Sequence, residues 1–180
     1  NVYNTPSILV VGRDPGQTEV TMGEPFVGKA GAVLDECLVA AGIRRSEINI
    51  TNVVQYRPFG NEFSAHAKEN IRGGLKALDA LIRKLNPSVI VAMGNEAAFA
   101  TIPDWPSRNG TIMTAKDIFD MRGYLFKGKR GHKVIPTVHP AAVDRVWVPW
   151  IQLLEHDLNR AREQHESGQS DWNRPTRRVH

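Results

Sequence analysis

The stretch GRDPGQTEVTMGEPFVGKAG, residues 12–31, crowds glycine, proline and charge directly behind the apolar run SILVV. Such a loop suits one of three tasks: cradling a phosphate, turning a corner, or holding an acid such as Asp14 or Glu19 against a substrate. Phosphate cradling fits poorly. Gly23 to Lys29 matches the spacing GxxxxGK, but Ala30 stands where a Ser or Thr would bind magnesium, and GRDPG lacks the GxGxxG spacing of a dinucleotide loop. Two further groups invite chemistry. His139 ends the apolar run KVIPTVH, and Asn52 puts an amide inside INITNVV, where a polar group is costly without a partner.

These groups need a frame. SILVVG (7–12), INITNVV (48–54), SVIVAMG (88–94) and KVIPTVH (133–139) are short, β-branched and nearly all apolar, the pattern of strands buried on both faces. Between the first two, Ala30, Val33, Leu34, Cys37, Leu38 and Ala41 share one helical face, with Gly42 as a stop. Ser64 is placed to cap a second helix, striped by Ile71, Leu75, Leu78, Leu81, Ile82 and Leu85 and ended at Asn86-Pro87. A last helix around 148–165 buries Trp150, Leu153, Leu154 and Leu158. The alternation predicts a three-layer α/β/α domain over residues 1–166, with a mainly parallel sheet of about four strands and a polar, basic tail over 167–180. Open parallel sheets place their sites at the carboxyl ends of the strands, so the loops carrying Asp14, RPFGN, GNEAA and HPAAV should converge on one rim.

Composition narrows the function. The chain has 180 residues, 41% of them hydrophobic, enough for one well-buried domain. One cysteine excludes a disulfide framework or a cysteine-built metal cluster and fits a reducing, intracellular compartment. No apolar stretch approaches the ~20 residues of a bilayer span, and no signal-peptide pattern opens the chain. Asn1 in place of an initiator Met suggests residues upstream. The net charge of +4 leans modestly towards polyanions.

Four motifs, in order, then resemble one family. Residues 12–31 follow the pattern GEAPGxxEDxxGxPFVGxAG without a gap, TNVVQYRPFGN (51–61) is similar to TNVVKCRPPGN, VIVAMGNEAA to VIVALGxxAA, and PTVHPAAV to PTYHPAAV. The chain resembles the uracil-DNA glycosylase superfamily over about residues 7–145, closest to the branch that usually carries an iron–sulfur cluster (family 4). It departs from that branch in two ways. The cluster needs four cysteines, one of them where Tyr56 stands, so no cofactor is expected here. Arg13 also replaces a catalytic Glu, while Asp14 follows, as in the GQDP motif of the cluster-free family 1 enzymes.

The resemblance implies a monofunctional glycosylase that removes uracil from single- or double-stranded DNA, a monomer in the cytoplasm at the nucleoid, with no membrane contact. A glycosylase for a modified pyrimidine, or a DNA-binding protein that lost catalysis with Arg13, are the alternatives. Cleaving the N-glycosidic bond builds positive charge on the sugar and negative charge on the departing base, and each preorganised group opposing that charge contributes roughly 3–4 kcal/mol in a dry site. Asp14 is the expected carboxylate, with Glu19 in reserve, and His139 the donor to the base. Phe26 matches the residue that stacks on the base and Asn52 the one that reads its edge, while Gly12, Gly16 and Gly28 admit close backbone approach. Arg13 and the basic loop with Lys127, Lys129, Arg130 and Lys133 are expected on DNA phosphates, and Val143 and Arg145 as a wedge where the base leaves the helix. No lysine falls at a matched catalytic position, so no Schiff-base step is expected.

Overall fold

The computed structural model describes residues 7–105, 107–108, 111–112, 116–142 and 149–168. Strand β1 (Ile8–Gly12) is buried along its whole length: Ile8 and Val10 enter one apolar cluster, Leu9 and Val11 another. Strands β2 (Asn49–Asn52) and β3 (Val89–Met93) flank it, both parallel to it. The short strands β4 (Ser107–Arg108) and β5 (Thr111–Ile112) form a separate antiparallel ribbon. Strands β6 (Phe126–Lys127) and β7 (Lys133–Thr137) complete a five-stranded sheet of order β2-β1-β3-β7-β6. The four expected strands are therefore present and parallel. The fifth, β6, is antiparallel to β7 and, at two residues, too short to show alternation in sequence.

Among the described residues six α-helices accompany the sheet: α1 (Gln17–Met22), α2 (Lys29–Ala40), α3 (Lys68–Leu85), α4 (Asn95–Thr101), α5 (Lys116–Met121) and α6 (Pro149–Glu166). Leu34, Cys37 and Leu38 of α2 and Leu154, Leu158 and Ala161 of α6 pack with Ile8, Val10, Val89 and Val91. Leu78, Ile82 and Leu85 of α3 and Ala97 and Ala98 of α4 pack with Leu9, Val11, Ile90 and Ala92 on the other face. The three layers follow. Gly42 stops α2 as expected: at φ +72° it turns the chain so that Ile43 N–H reaches Leu38 O at 2.9 Å. Ser64 does not cap α3. It lies in a 3-10 turn (Phe63–Ala65), and Ala67, with no side-chain cap, precedes the helix.

On β7 the residues facing α6 alternate with those facing α4, which puts Lys133, Ile135 and Thr137 on one side. Lys133 is fully buried, and its Nζ donates to Gly168 O at 2.7 Å and Ser167 Oγ at 3.2 Å, next to the carboxyl end of α6 where a cation is favoured. At the other end, buried Asp157 of α6 accepts from Arg122 Nη2 (2.6 Å) and Nε (2.9 Å) and from Thr137 Oγ1 (2.7 Å). Removing one member of such a pair strands the other charge. Asp157→Ala should therefore lose about 3 kcal/mol of stability, while a joint replacement of Arg122, Asp157 and Thr137 by Met, Leu and Val stays near the parent. Urea unfolding midpoints check this, and a loss below ~1 kcal/mol in Asp157→Ala would show the pair to be dispensable.

Candidate active site

The register levels the strand ends. Gly12 pairs with Asn52, Val11 with Ala92, and Met93 with Thr137, so the loops after β1, β2, β3 and β7 leave the sheet together. From β1 the sheet builds to β2 on one side and to β3 and β7 on the other, so the crevice between their outgoing loops is a topological switch point. There a cavity of about 440 Å³ opens, lined among others by Asp14, Glu19, Phe26, Asn52 and His139.

Gly12 lets its inner wall form. A Cβ at this position would sit 2.5 Å from Phe26 Cζ and 2.6 Å from Asn52 Oδ1, closer than any side chain tolerates. The ring of Phe26 and the amide of Asn52 therefore meet over the bare end of β1. Phe26 adopts φ +54°, an uncommon conformation for a side chain with Cβ. Arg45 Nη2 donates to Pro25 O at 2.8 Å and Phe26 O at 2.9 Å, and Gly31 leaves room for that carbonyl, where a Cβ would lie 1.9 Å from the oxygen. Asn52 is buried, and among the described residues its Oδ1 has no hydrogen-bond partner.

His139 follows β7, its ring centroid 5.6 Å from that of Phe26. Ala141 N–H donates to His139 Nδ1 at 3.1 Å, which leaves the proton of the neutral ring on Nε2. Burial pushes its pKa down to about 4, helped by the Arg13 guanidinium and opposed by Glu19. The site therefore presents an uncharged N–H donor at neutral pH.

Asp14 is held from both sides. Arg13 Nε donates to its Oδ1 at 3.1 Å, and His66 Nε2 lies 3.2 Å from its Oδ2. A carboxylate only accepts, so His66 carries its proton on Nε2. Each carboxylate oxygen keeps a second acceptor position for a water or ligand hydroxyl. His66 packs edge-on against Phe63 at 5.2 Å and is buried. Nothing near position 66 in the sequence points to this contact across 52 residues.

Glu19 has a structural task beside its place in the lining. Its Oε1 accepts Gly28 N–H at 2.8 Å and Val27 N–H at 3.1 Å at the amino end of α2, and its Oε2 would lie 2.5 Å from a Cβ at Gly16. Gly16 and Gly28 thus make room for this carboxylate, and the N–H of Gly28 goes to Glu19 rather than to a ligand. Arg13, expected on phosphate, also donates Nη2 to Asn61 O at 2.9 Å and Oδ1 at 3.3 Å. The sequence reading missed Arg57, Glu96 and Trp150, which also line the cavity.

The basic loop is elsewhere. It precedes β7, whose first residue, Lys133, is level with Val89 at the amino end of β3, so the structure separates it from the site by the length of the sheet. There Arg130 binds Asp79 through both Nε and Nη2, and Lys129 Nζ donates to Phe99 O at 2.9 Å. Lys127 is exposed on β6. Val143 and Arg145 lie outside the described residues.

The four-cysteine cluster implied by the resemblance does not fit. Cys37 is the one cysteine of the chain, buried in α2, its thiol pushed up to about 11 by burial, with Glu155 and Glu36 adding to the shift. Tyr56, at a cluster position, is 65% exposed and packs little. Among the described residues no group of three or more His, Cys, Asp or Glu is placed to hold a metal ion.

Fold and pocket together define an α/β protein with a preformed cavity at the sheet's switch point. The family model of the uracil DNA glycosylase superfamily matches residues 1–158, and the chain belongs to that superfamily. It is 38% identical over 134 residues to the type-4 uracil-DNA glycosylase of Thermotoga maritima, covering 74% of this chain and 64% of that protein. Proteins of the same name from Pyrobaculum aerophilum (35% identical, 77% of this chain, 68% of that one) and Archaeoglobus fulgidus (38%, 76% and 66%) are also similar. The chain thus spans about two thirds of the length of these relatives.

The His139 environment makes a direct prediction. Its ring resonances should titrate near pH 4, with Nε2 protonated at neutral pH. The unfolded chain takes up this proton near 6.5, so this group's contribution to stability is complete above that pH and declines as pH falls towards about 4. An NMR midpoint near 6.5 would show the ring to be solvated rather than held neutral.

Proposed function

We propose that the protein hydrolyses the N-glycosidic bond between uracil and deoxyribose in DNA, leaving an abasic site. The observation that carries this reading is the Asn52 amide, buried beside the Phe26 ring with its Oδ1 unpaired. An unmatched buried acceptor costs about 1–3 kcal/mol. Uracil offers the group it lacks: an N–H beside a carbonyl, on a flat ring that Phe26 can face. The type-4 uracil-DNA glycosylase name of the relatives supports the same chemistry.

The base must leave the stack to enter such a cavity. As the bond from sugar C1′ to base N1 breaks, its electron pair goes to the base, and His139 Nε2–H stabilises the charge developing on the base oxygen. Asp14 orients a water at the sugar and faces the positive charge there, while His66 and Arg13 fix the carboxylate. The water oxygen bonds to C1′ and its proton is released to the base or solvent. Arg13 offsets part of the charge of Asp14, which makes orientation of the water its larger contribution. Glu19 is the reserve acid, with one oxygen already engaged by the amino end of α2. These side chains need no cofactor, and we place the enzyme as a monomer acting on DNA in the cytoplasm at the nucleoid. A modified pyrimidine as substrate, or binding without catalysis, are the competing readings.

Oligonucleotides bearing one uracil, treated after incubation to cleave abasic sites, test this directly. Asp14→Asn should slow excision at least ~10²-fold with DNA binding retained, and His139→Ala by ~10²–10³. Unchanged excision in Asp14→Asn with loss in Glu19→Gln would move the acid role to Glu19. Asn52→Asp should weaken uracil excision strongly, whereas Phe26→Ala should weaken all bases alike. Activity of the parent on hydroxymethyluracil but not uracil would favour the modified-pyrimidine reading.

A further inference from the structure

The loop after β2, which lines the cavity through Arg57 and Asn61, exposes two aromatic side chains. Phe59 is 93% exposed and Tyr56 65%, with Arg57 between them. Burying a Phe side chain stabilises a fold by roughly 1.5–3 kcal/mol, and although one exposed ring is ordinary, two within four residues with a cation between them point to a partner.

The loop is rigid by construction. Pro58 is buried, Gly60 and Asn61 adopt φ +62° and +60°, and Asn61 N–H closes a turn on Pro58 O at 3.2 Å. Asn61 O in turn accepts Arg13 Nη2 at 2.9 Å, which ties the loop to the residue beside Asp14. Arg57 and Asn61 both line the cavity, so the two aromatic residues belong to a loop that borders it. Among the described residues no hydrogen bond or ion pair engages the Arg57 side chain.

We propose that residues 56–61 form a stacking platform for an unpaired DNA base neighbouring the one in the cavity, with Phe59 and Tyr56 presenting ring faces and Arg57 meeting the intervening phosphate. Alternating aromatic and cationic side chains suit single-stranded DNA, because every base has a face to stack and every step carries a charge. A second protein seated on Phe59 would instead crowd the loop whose Arg57 and Asn61 line the cavity the substrate must enter. The proposal rests on the glycosylase reading for the identity of the strand. It adds a preference for single strands, since a paired neighbour is already stacked and gains less from the platform.

The test uses the full chain and a 15-nucleotide single strand with a central uracil, beside a second strand whose neighbours of uracil are abasic analogues. Phe59→Ala should raise KM on the first strand about 5- to 150-fold, far less on the second, and reduce the preference for single-stranded over duplex substrate. Arg57→Gln should weaken binding on both strands and flatten its salt dependence. In parallel, Phe59→Trp should show fluorescence quenching by a uracil-free strand beyond that of the parent. If the parent excises no uracil, the glycosylase reading fails, and this quenching still decides the platform. Equal KM effects on both strands with no added quenching would overturn the platform, as would a dimer that dissociates in Phe59→Ala.

Discussion

The site depends on one missing side chain. Gly12 ends the central strand β1, and the space its Cβ would occupy is filled by the Phe26 ring from one loop and the Asn52 amide from another. Even a methyl group there would drive the stacking surface and the edge-reading group apart. The rest of the first loop follows from that meeting. Phe26 must take a positive φ to reach Gly12, Gly31 must be bare to admit the Phe26 carbonyl, and Arg45 must bridge Pro25 and Phe26 to hold the turn. Glu19 then fastens the far end of the loop to the start of α2. A glycine-rich motif that reads as flexible is a set of close contacts.

A second constraint concerns Arg13. Where the resemblance implies a carboxylate, the chain carries a guanidinium, and its partners explain the exchange. Arg13 reaches Asp14 in its own loop and Asn61 in the next, and Val53 and Val54 N–H extend the β1–β2 ladder to Gly12 O and Arg13 O. With His66 on Asp14, the segment from 53 to 66 is stitched to the end of β1 by backbone and side-chain hydrogen bonds. Such contacts supply a hold on this segment that needs no cluster, in a chain with one cysteine. They also couple acid and platform, because the residue that fixes Asp14 also fixes the loop of Phe59.

The fold was largely legible because buried parallel strands and amphipathic helices write their burial directly into local sequence. Val10 or Leu78 announces its environment through its neighbours. The site was legible in part, through motif order and the strand-end rule, which brought Asp14, Phe26, Asn52 and His139 together. His66 and Arg45 were not, since a contact between distant loops leaves no spacing to read. The basic hairpin is different: it precedes a parallel strand, so the same strand-end rule already assigns it to the rim away from His139. Charge clustering drew attention to it, and topology overrules charge.

That has a consequence for the chain's positive charge. A net +4 suggests a surface prepared for DNA, yet several of its cations are already paired within the chain. Arg45 binds Asp35 and the Phe26 loop, Arg122 holds Asp157, Arg130 holds Asp79, and Lys133 meets the end of α6. Around the cavity three carboxylates, Asp14, Glu19 and Glu96, face two guanidiniums, Arg13 and Arg57. Such a site repels a phosphate chain in general and tolerates it only along a defined path. Arg13 is committed to Asp14 and Asn61, so among the described residues lining the cavity Arg57 is the cation left to mark that path. Its place between two exposed rings then has a physical reason: charge draws the backbone in, and the rings hold the base that neighbours the one in the cavity.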